Sequence, residues 1–213
     1  MNLPNIVFIG DQPKFIETKD GSRSYLMFNK DKEYLEDSKT FDTFTKHCEQ
    51  YIRTSDDYKE FIKWIKNVVG LNFCAVSPQI VGSDKVEIEM HHGPLFTLYD
   101  CVSCAIEFRL DRRLRINTFT VADQVLQDHF DLIISIVMLA KTYHEAVHNR
   151  DIFLNINQRF GDITGFLDKY AAYLDDNQKY KVYQYMKFSK ENPSFNNGIL
   201  DIENIKPYLA EVA

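Results

Sequence analysis

Between residues 86 and 91 the chain alternates strictly, Val86, Ile88 and Met90 against Glu87, Glu89 and His91, and Gly93-Pro94 then breaks the pattern. A period of two is that of a strand, with successive side chains on opposite faces. Glu87, Glu89 and His91 therefore share one face, and His91-His92 close the strand just before its break. Any fold this chain adopts has to place two imidazoles at one end of a strand.

Around that strand the chain reads as mixed α+β with a helical C-terminal third. Residues 5–30 read as strands, with the hairpin signal Asp20-Gly21 between residues 14–19 and 22–28. Residues 39–70 read as two helices. Phe41, Phe44, Cys48 and Tyr51 have helical spacing, and so do Tyr58, Phe61, Ile62, Ile65, Val68 and Val69. Ser55-Asp56-Asp57 can cap the second helix and Gly70 can end it. Residues 71–92 return to strand character, 95–110 and 119–130 look helical, and 133–139 form a short apolar run expected as a buried strand. A short helix over 141–149, a strand over 152–156 and helix over 163–190 complete the reading. Residues 198–213 are expected to act as a docking tail able to hold a protein partner. The expected units are an N-terminal accessory region at 1–80, a core at 81–170 with inserted helices, and a helical extension at 171–213.

Composition sets limits. Hydrophobic residues make up 45% and charged residues 26% of the chain, ordinary values for a folded protein. No run is long and apolar enough for a membrane span. Met1-Asn2-Leu3-Pro4 lacks the basic flank and apolar core of a signal peptide. The four cysteines are too few for a disulfide scaffold, so a reduced cytoplasmic setting is expected, that of the host cell if the chain comes from a phage. A net charge of −6 argues mildly against a nucleic-acid enzyme, although Arg109, Arg112, Arg113 and Arg115 cluster locally.

Of six histidines, four fall into two groups, His91-His92 and His144/His148. Residues four apart on a helix share a face, so His144 and His148 can reach one ion. Neutral imidazole suits zinc, nickel and similar metals. Three such ligands leave a position open, as catalytic sites require, and the fourth histidine is then free to act as general base. The segment His144-Glu145-Ala146-Val147-His148 also fits the zinc-peptidase pattern HExxH, in which Glu145 would be the base. That reading leaves His91-His92 unused.

The segment from Val86 to Pro94, with its His-His pair followed by Pro, resembles the first strand of HNH (His-Me finger, ββα-metal) nucleases. The segment from Ile136 to His148 resembles their second strand and helix, although Ala140 and Tyr143 stand where many relatives carry a zinc-knuckle cysteine. The likeness is to colicin-type DNases and to HNH-like phage proteins, and it spans about residues 84–170. It implies a ββα-metal centre acting on DNA. His91, His144 and His148 would bind a divalent ion (magnesium, manganese, nickel or zinc), and His92 would be the general base activating water. Glu89 would orient a neighbouring imidazole. Ser135 occupies the place of the family's middle Asn, which braces the catalytic loop. A zinc peptidase and a catalytically silent HNH-like binding protein remain as alternatives.

Other features have plainer readings. Cys101 and Cys104 read as buried thiols, the tyrosines of 170–185 as packing residues, Trp64 as core, and His47 and His129 as ordinary histidines.

Overall fold

Strand alternation, apolar helical faces and capping residues together generate the architecture. The computed structural model describes residues 5–9, 12–17, 23–25, 30 and 32–191. At the N-terminus β1 (Asn5–Ile9), β2 (Gln12–Glu17) and β3 (Arg23–Tyr25) form an antiparallel sheet in sequence order. This is the expected strand region. The Asp20-Gly21 turn lies outside the described residues, as does the tail at 198–213.

Two amphipathic helices follow α1 (Lys32–Glu36). The first, α2 (Ser38–Thr54), buries Phe44, Cys48 and Ile52, which sit four residues apart on one face. The second, α3 (Asp56–Asn67), buries Tyr58, Phe61 and Ile65 at similar spacing. Ser55 separates them: its Oγ accepts the Tyr58 N–H at 3.2 Å, capping α3. Gly70, at φ +85°, takes the left-handed turn that follows.

The remaining elements are built on one strand pair. β4 (Ile88–His92) and β5 (Ile136–Ala140) are antiparallel, with Glu89 opposite Leu139 and His91 opposite Val137. Between them run α4 (Leu98–Asp111) and α5 (Thr118–Phe130), which fill the long stretch expected to hold inserted helices. Thr97 and Asp100 form a capping box on α4, and Asn117 and Thr120 form one on α5. Helix α4 is apolar nearly all round and central: Leu98, Val102 and Ile106 are fully buried, each contributing about 1.5–3 kcal/mol of apolar burial. After β5 come α6 (Lys141–His148), α7 (Ile163–Tyr170) and α8 (Asp176–Glu191). One buried cluster draws in residues from Leu35 to Val182.

Three expectations need correction. Of residues 71–92, only β4 is regular; a tight turn at Ser83 and Val86, which exchange backbone hydrogen bonds, interrupts the earlier part. Residues 152–156 alternate as expected, Leu154 and Ile156 inward and Phe153 outward, yet form no strand. The β5 edge that could pair is taken by Phe160, which bonds both ways with Ile136 at 2.8 Å. The helix expected over 163–190 breaks at Asp175, whose carboxylate accepts the Gln178 N–H at 2.7 Å and starts α8 afresh.

Candidate metal centre

Ala140 ends β5 and is at once the N-cap of α6, so the helix turns back directly over the neighbouring strand. The face it covers is the polar face of β4. Strand alternation buries Ile88, Met90 and His92 on one side and leaves Glu89 and His91 half-buried on the other. Helical spacing of four then brings His144 and His148 down onto His91.

The three imidazoles close around one point. Ring centres lie 5.0 Å apart for His91 and His144, 5.1 Å for His91 and His148, and 4.6 Å for His144 and His148. One ligand nitrogen from each falls within 4.8 Å of the others. Glu89 accepts a hydrogen bond from His144 Nδ1–H at 2.5 Å. A carboxylate only accepts, so Nδ1 carries the proton and the His144 Nε2 lone pair points away from Glu89. That Nε2 lies 3.0 Å from His148 Nε2. Two nitrogens bound at about 2.0–2.1 Å to a tetrahedral ion stand ~3.3 Å apart, so the spacing suits a shared cation.

Electrostatics favour neutral ligands. Burial, and then the neighbouring His144 and His148, push the His91 imidazole down to about 4. His148 is lowered too, by burial first and then by His144. Gly93 lets the backbone pack against His91: a Cβ there would lie 3.1 Å from the ring's Cδ2 and 3.2 Å from Nε2.

His92 is not brought to this cluster. It is 5% exposed, stacks on Tyr58 at 6.0 Å, and its Nε2 meets His129 Nε2 at 2.9 Å. The expected base is thus turned into the core. Ser135, expected to brace the loop, meets it through its backbone and not its side chain. Its Oγ is buried with no hydrogen-bond partner among the described residues. Its backbone carbonyl accepts the Gly93 N–H at 3.3 Å and so ties the loop after β4 to the start of β5. Glu145 is exposed on α6, and Glu87 is exposed just before β4.

The plainer readings divide. Cys101 and Cys104 are buried thiols whose pKa burial raises. Arg109 is structural, donating to the Arg115 carbonyl and to Gln124, each at 2.7 Å. His47 is exposed. His129 was missed as the partner of His92, although its helical spacing from Val121 and Val125 places it on the buried face of α5. Among the described residues no helix is long and apolar enough to cross a membrane.

A family model described as Bacteriophage G278-like virion protein matches residues 9–207. No curated protein and no solved structure matches the chain.

Proposed function

The chain belongs to the bacteriophage G278-like virion protein family, and on that premise we propose that it is a metal-dependent phosphodiesterase of HNH type acting on nucleic acid, carried with or delivered by the phage particle. The observation that carries this reading is the convergence of His91, His144 and His148. Their order, one histidine from a strand and two from a helix that follows the paired strand, supports reading the cluster as a ββα-metal centre. Three neutral nitrogen donors favour zinc, nickel or a similar transition ion over magnesium. A divalent ion held there would supply a Lewis acid that stabilises charge on a phosphate and makes a nearby water more acidic.

The chain's own residues divide the remaining work. Glu89 fixes the tautomer and direction of His144. Ser135, through its carbonyl, and Gly93 hold the loop beside His91. His92, bonded to His129, anchors the strand end and so the backbone that presents His91. In this reading His92 is a positioning residue, and the proton of the attacking water leaves to solvent past the exposed His148.

The burial of His92 also favours a second reading, in which the ion is structural and the virion protein is catalytically silent. Plasmid cleavage by purified protein with added zinc, nickel, manganese or magnesium separates them. The nuclease reading expects cleavage that His144→Ala abolishes and Glu145→Gln leaves intact. Metal uptake without cleavage of DNA or RNA would establish the structural reading, and peptide hydrolysis lost in Glu145→Gln would establish a zinc peptidase.

A further inference from the structure

A groove of about 460 Å³ opens directly beside the histidine cluster. His91 and His148 line it, and so do Thr97, Arg150, Lys181 and Tyr185. Phe153 stacks on Tyr185, ring centres 4.8 Å apart, which joins the loop after α6 to α8. Among the described residues no Asp or Glu lines the groove. Most of its polar groups are already engaged. Lys181 Nζ donates to Asp100 at 2.8 Å, and Thr97 Oγ1 donates to the same carboxylate at 2.9 Å. Arg150 differs: it is exposed, and among the described residues no ion pair engages it.

The backbone sets that guanidinium next to the cluster. Helix α6 ends in a Schellman turn, with Asp151 N–H bonding the Ala146 carbonyl at 2.9 Å and Arg150 N–H bonding that of Val147 at 3.0 Å. Arg150 occupies the left-handed position at φ 65°, where glycine is the easy choice. The turn places it two residues beyond His148, on the end of the helix that carries two of the three histidines. A long side chain held in a disfavoured backbone region beside a candidate centre points to a demand on that side chain. A planar guanidinium offers paired N–H donors that match two oxygens of a phosphate.

We infer that Arg150 is a catalytic residue whose guanidinium holds the phosphodiester to be cut, by two non-bridging oxygens, in the groove beside His91 and His148. The inference rests on the nuclease reading and adds the group that grips its substrate. In the hydrolysis the water oxygen bonds to phosphorus and the P–O ester bond breaks. The water proton passes to solvent and the leaving oxygen takes one up, so Arg150 exchanges no proton. Charge builds on the non-bridging oxygens during the attack, and the contact with Arg150 strengthens toward the transition state.

Two assays test it on wild type, Arg150→Gly and Arg150→Lys, with Arg112→Ala as control, because Arg112 caps the opposite end of α4 from Thr97. The first is hydrolysis of bis(p-nitrophenyl) phosphate by zinc-loaded protein, a substrate with one phosphate and no polyanion to attract. Arg150→Gly should lower kcat/KM about 100-fold, and added guanidinium chloride should restore part of it. Arg150→Lys should stay about tenfold below wild type, since an ammonium cannot fork two oxygens. Zinc affinity and melting temperature should not fall in Arg150→Gly, because glycine suits the turn. The second is fluorescence anisotropy with fluorescein-labelled dT12 in EDTA. There Arg150→Gly should reduce the slope of log affinity against log salt by about 0.7, the value of one single-strand phosphate, and Arg112→Ala should not. A slope unchanged in Arg150→Gly, or no binding of dT12 by the wild type, overturns the inference. So does an activity loss matched by an equal loss of zinc affinity, which would make Arg150 a support of the turn. A slope lost only in Arg150→Gly, with no hydrolysis of either phosphodiester by the wild type, keeps the phosphate site and sinks the nuclease. Hydrolysis indifferent to Arg150 keeps the nuclease and sinks Arg150 as its catalytic residue.

Discussion

His92 Nε2 lies 2.9 Å from His129 Nε2 inside the core, and the bond has one direction. His129 Nδ1 sits 2.7 Å from the Val125 carbonyl, which can only accept, so Nδ1 carries the proton and Nε2 is bare. His92 must therefore donate through Nε2–H. The first prediction follows. His129→Leu leaves that buried donor without an acceptor and should cost about 1–3 kcal/mol, seen as a fall of roughly 2–4 °C per kcal/mol in a thermal melt. Metal affinity should fall as well, because His92 anchors the residue next to His91. Adding His92→Phe to His129→Leu should recover part of the lost stability. A melt unchanged by His129→Leu would show that the pair does not anchor the strand.

The same pair makes stability depend on pH. Burial lowers the His129 imidazole to about 4, against an ordinary value of 6.5. A base whose folded pKa is depressed gives stability that is full above its unfolded pKa and is lost as pH falls toward the folded value. The window is therefore pH 6.5 down to 4. The groups facing His129 are His92 from β4 and the rings of Tyr58 and Phe61 from α3, with the charge of Arg53 adding a small push downward. Apo-protein melts should lose several degrees across this window. In His92→Phe/His129→Leu the loss should be visibly shallower. Parallel curves for the two proteins would put the acid sensitivity elsewhere.

What the sequence disclosed and what it hid can be traced to particular residues. The alternation at 86–91 located β4, and the four-residue step located His144 and His148 on one face, because both are local periodicities. The inward turn of His92 was implied by that same alternation, since a period of two that groups His91 with Glu89 also groups His92 with Ile88 and Met90. Assigning it as base followed the family likeness over the period. His129, Phe160 and the Phe153–Tyr185 stack could not be read locally, because each acquires its partner through long-range packing. The left-handed Arg150 carries no signal in the sequence, where glycine would have been expected.

Glu89 and His144 give a prediction about metal affinity alone. Their 2.5 Å bond directs the His144 ring and requires no metal to form. Removing such a carboxylate typically weakens metal binding about 10–100-fold. Glu89→Ala should do so in a zinc or nickel competition titration, and its melt without metal should change little, because Glu89 is half-exposed. Gly93→Ala should also lower affinity, by crowding the His91 ring at 3.1 Å. Full affinity in both variants would mean that the three histidines do not form the binding site.

Asp100 supplies the last prediction, and it concerns the wall of the groove. Its carboxylate accepts from Thr97 N–H at 2.8 Å, from Gln178 Nε2 at 3.2 Å and from Lys181 Nζ at 2.8 Å, so it ties the start of α4 to α8. Burial by itself would raise its pKa, but the Lys181 ammonium and the Thr97 N–H together hold it below the usual 3.8. An acid with a depressed folded pKa contributes stability above its unfolded value and loses it as pH falls below 3.8. Asp100→Ala removes the capping box and leaves the Gln178 amide short of an acceptor, at a cost of about 1–3 kcal/mol at neutral pH. Its melt should fall at pH 7 and converge on that of the wild type as pH drops below 3.8. Hydrogen exchange should quicken first in α8, whose Lys181 and Tyr185 line the groove. If exchange in α8 is unchanged while the melt falls, Asp100 acts only as the cap of α4, and the wall carrying Tyr185 is held by the apolar contacts of Val182.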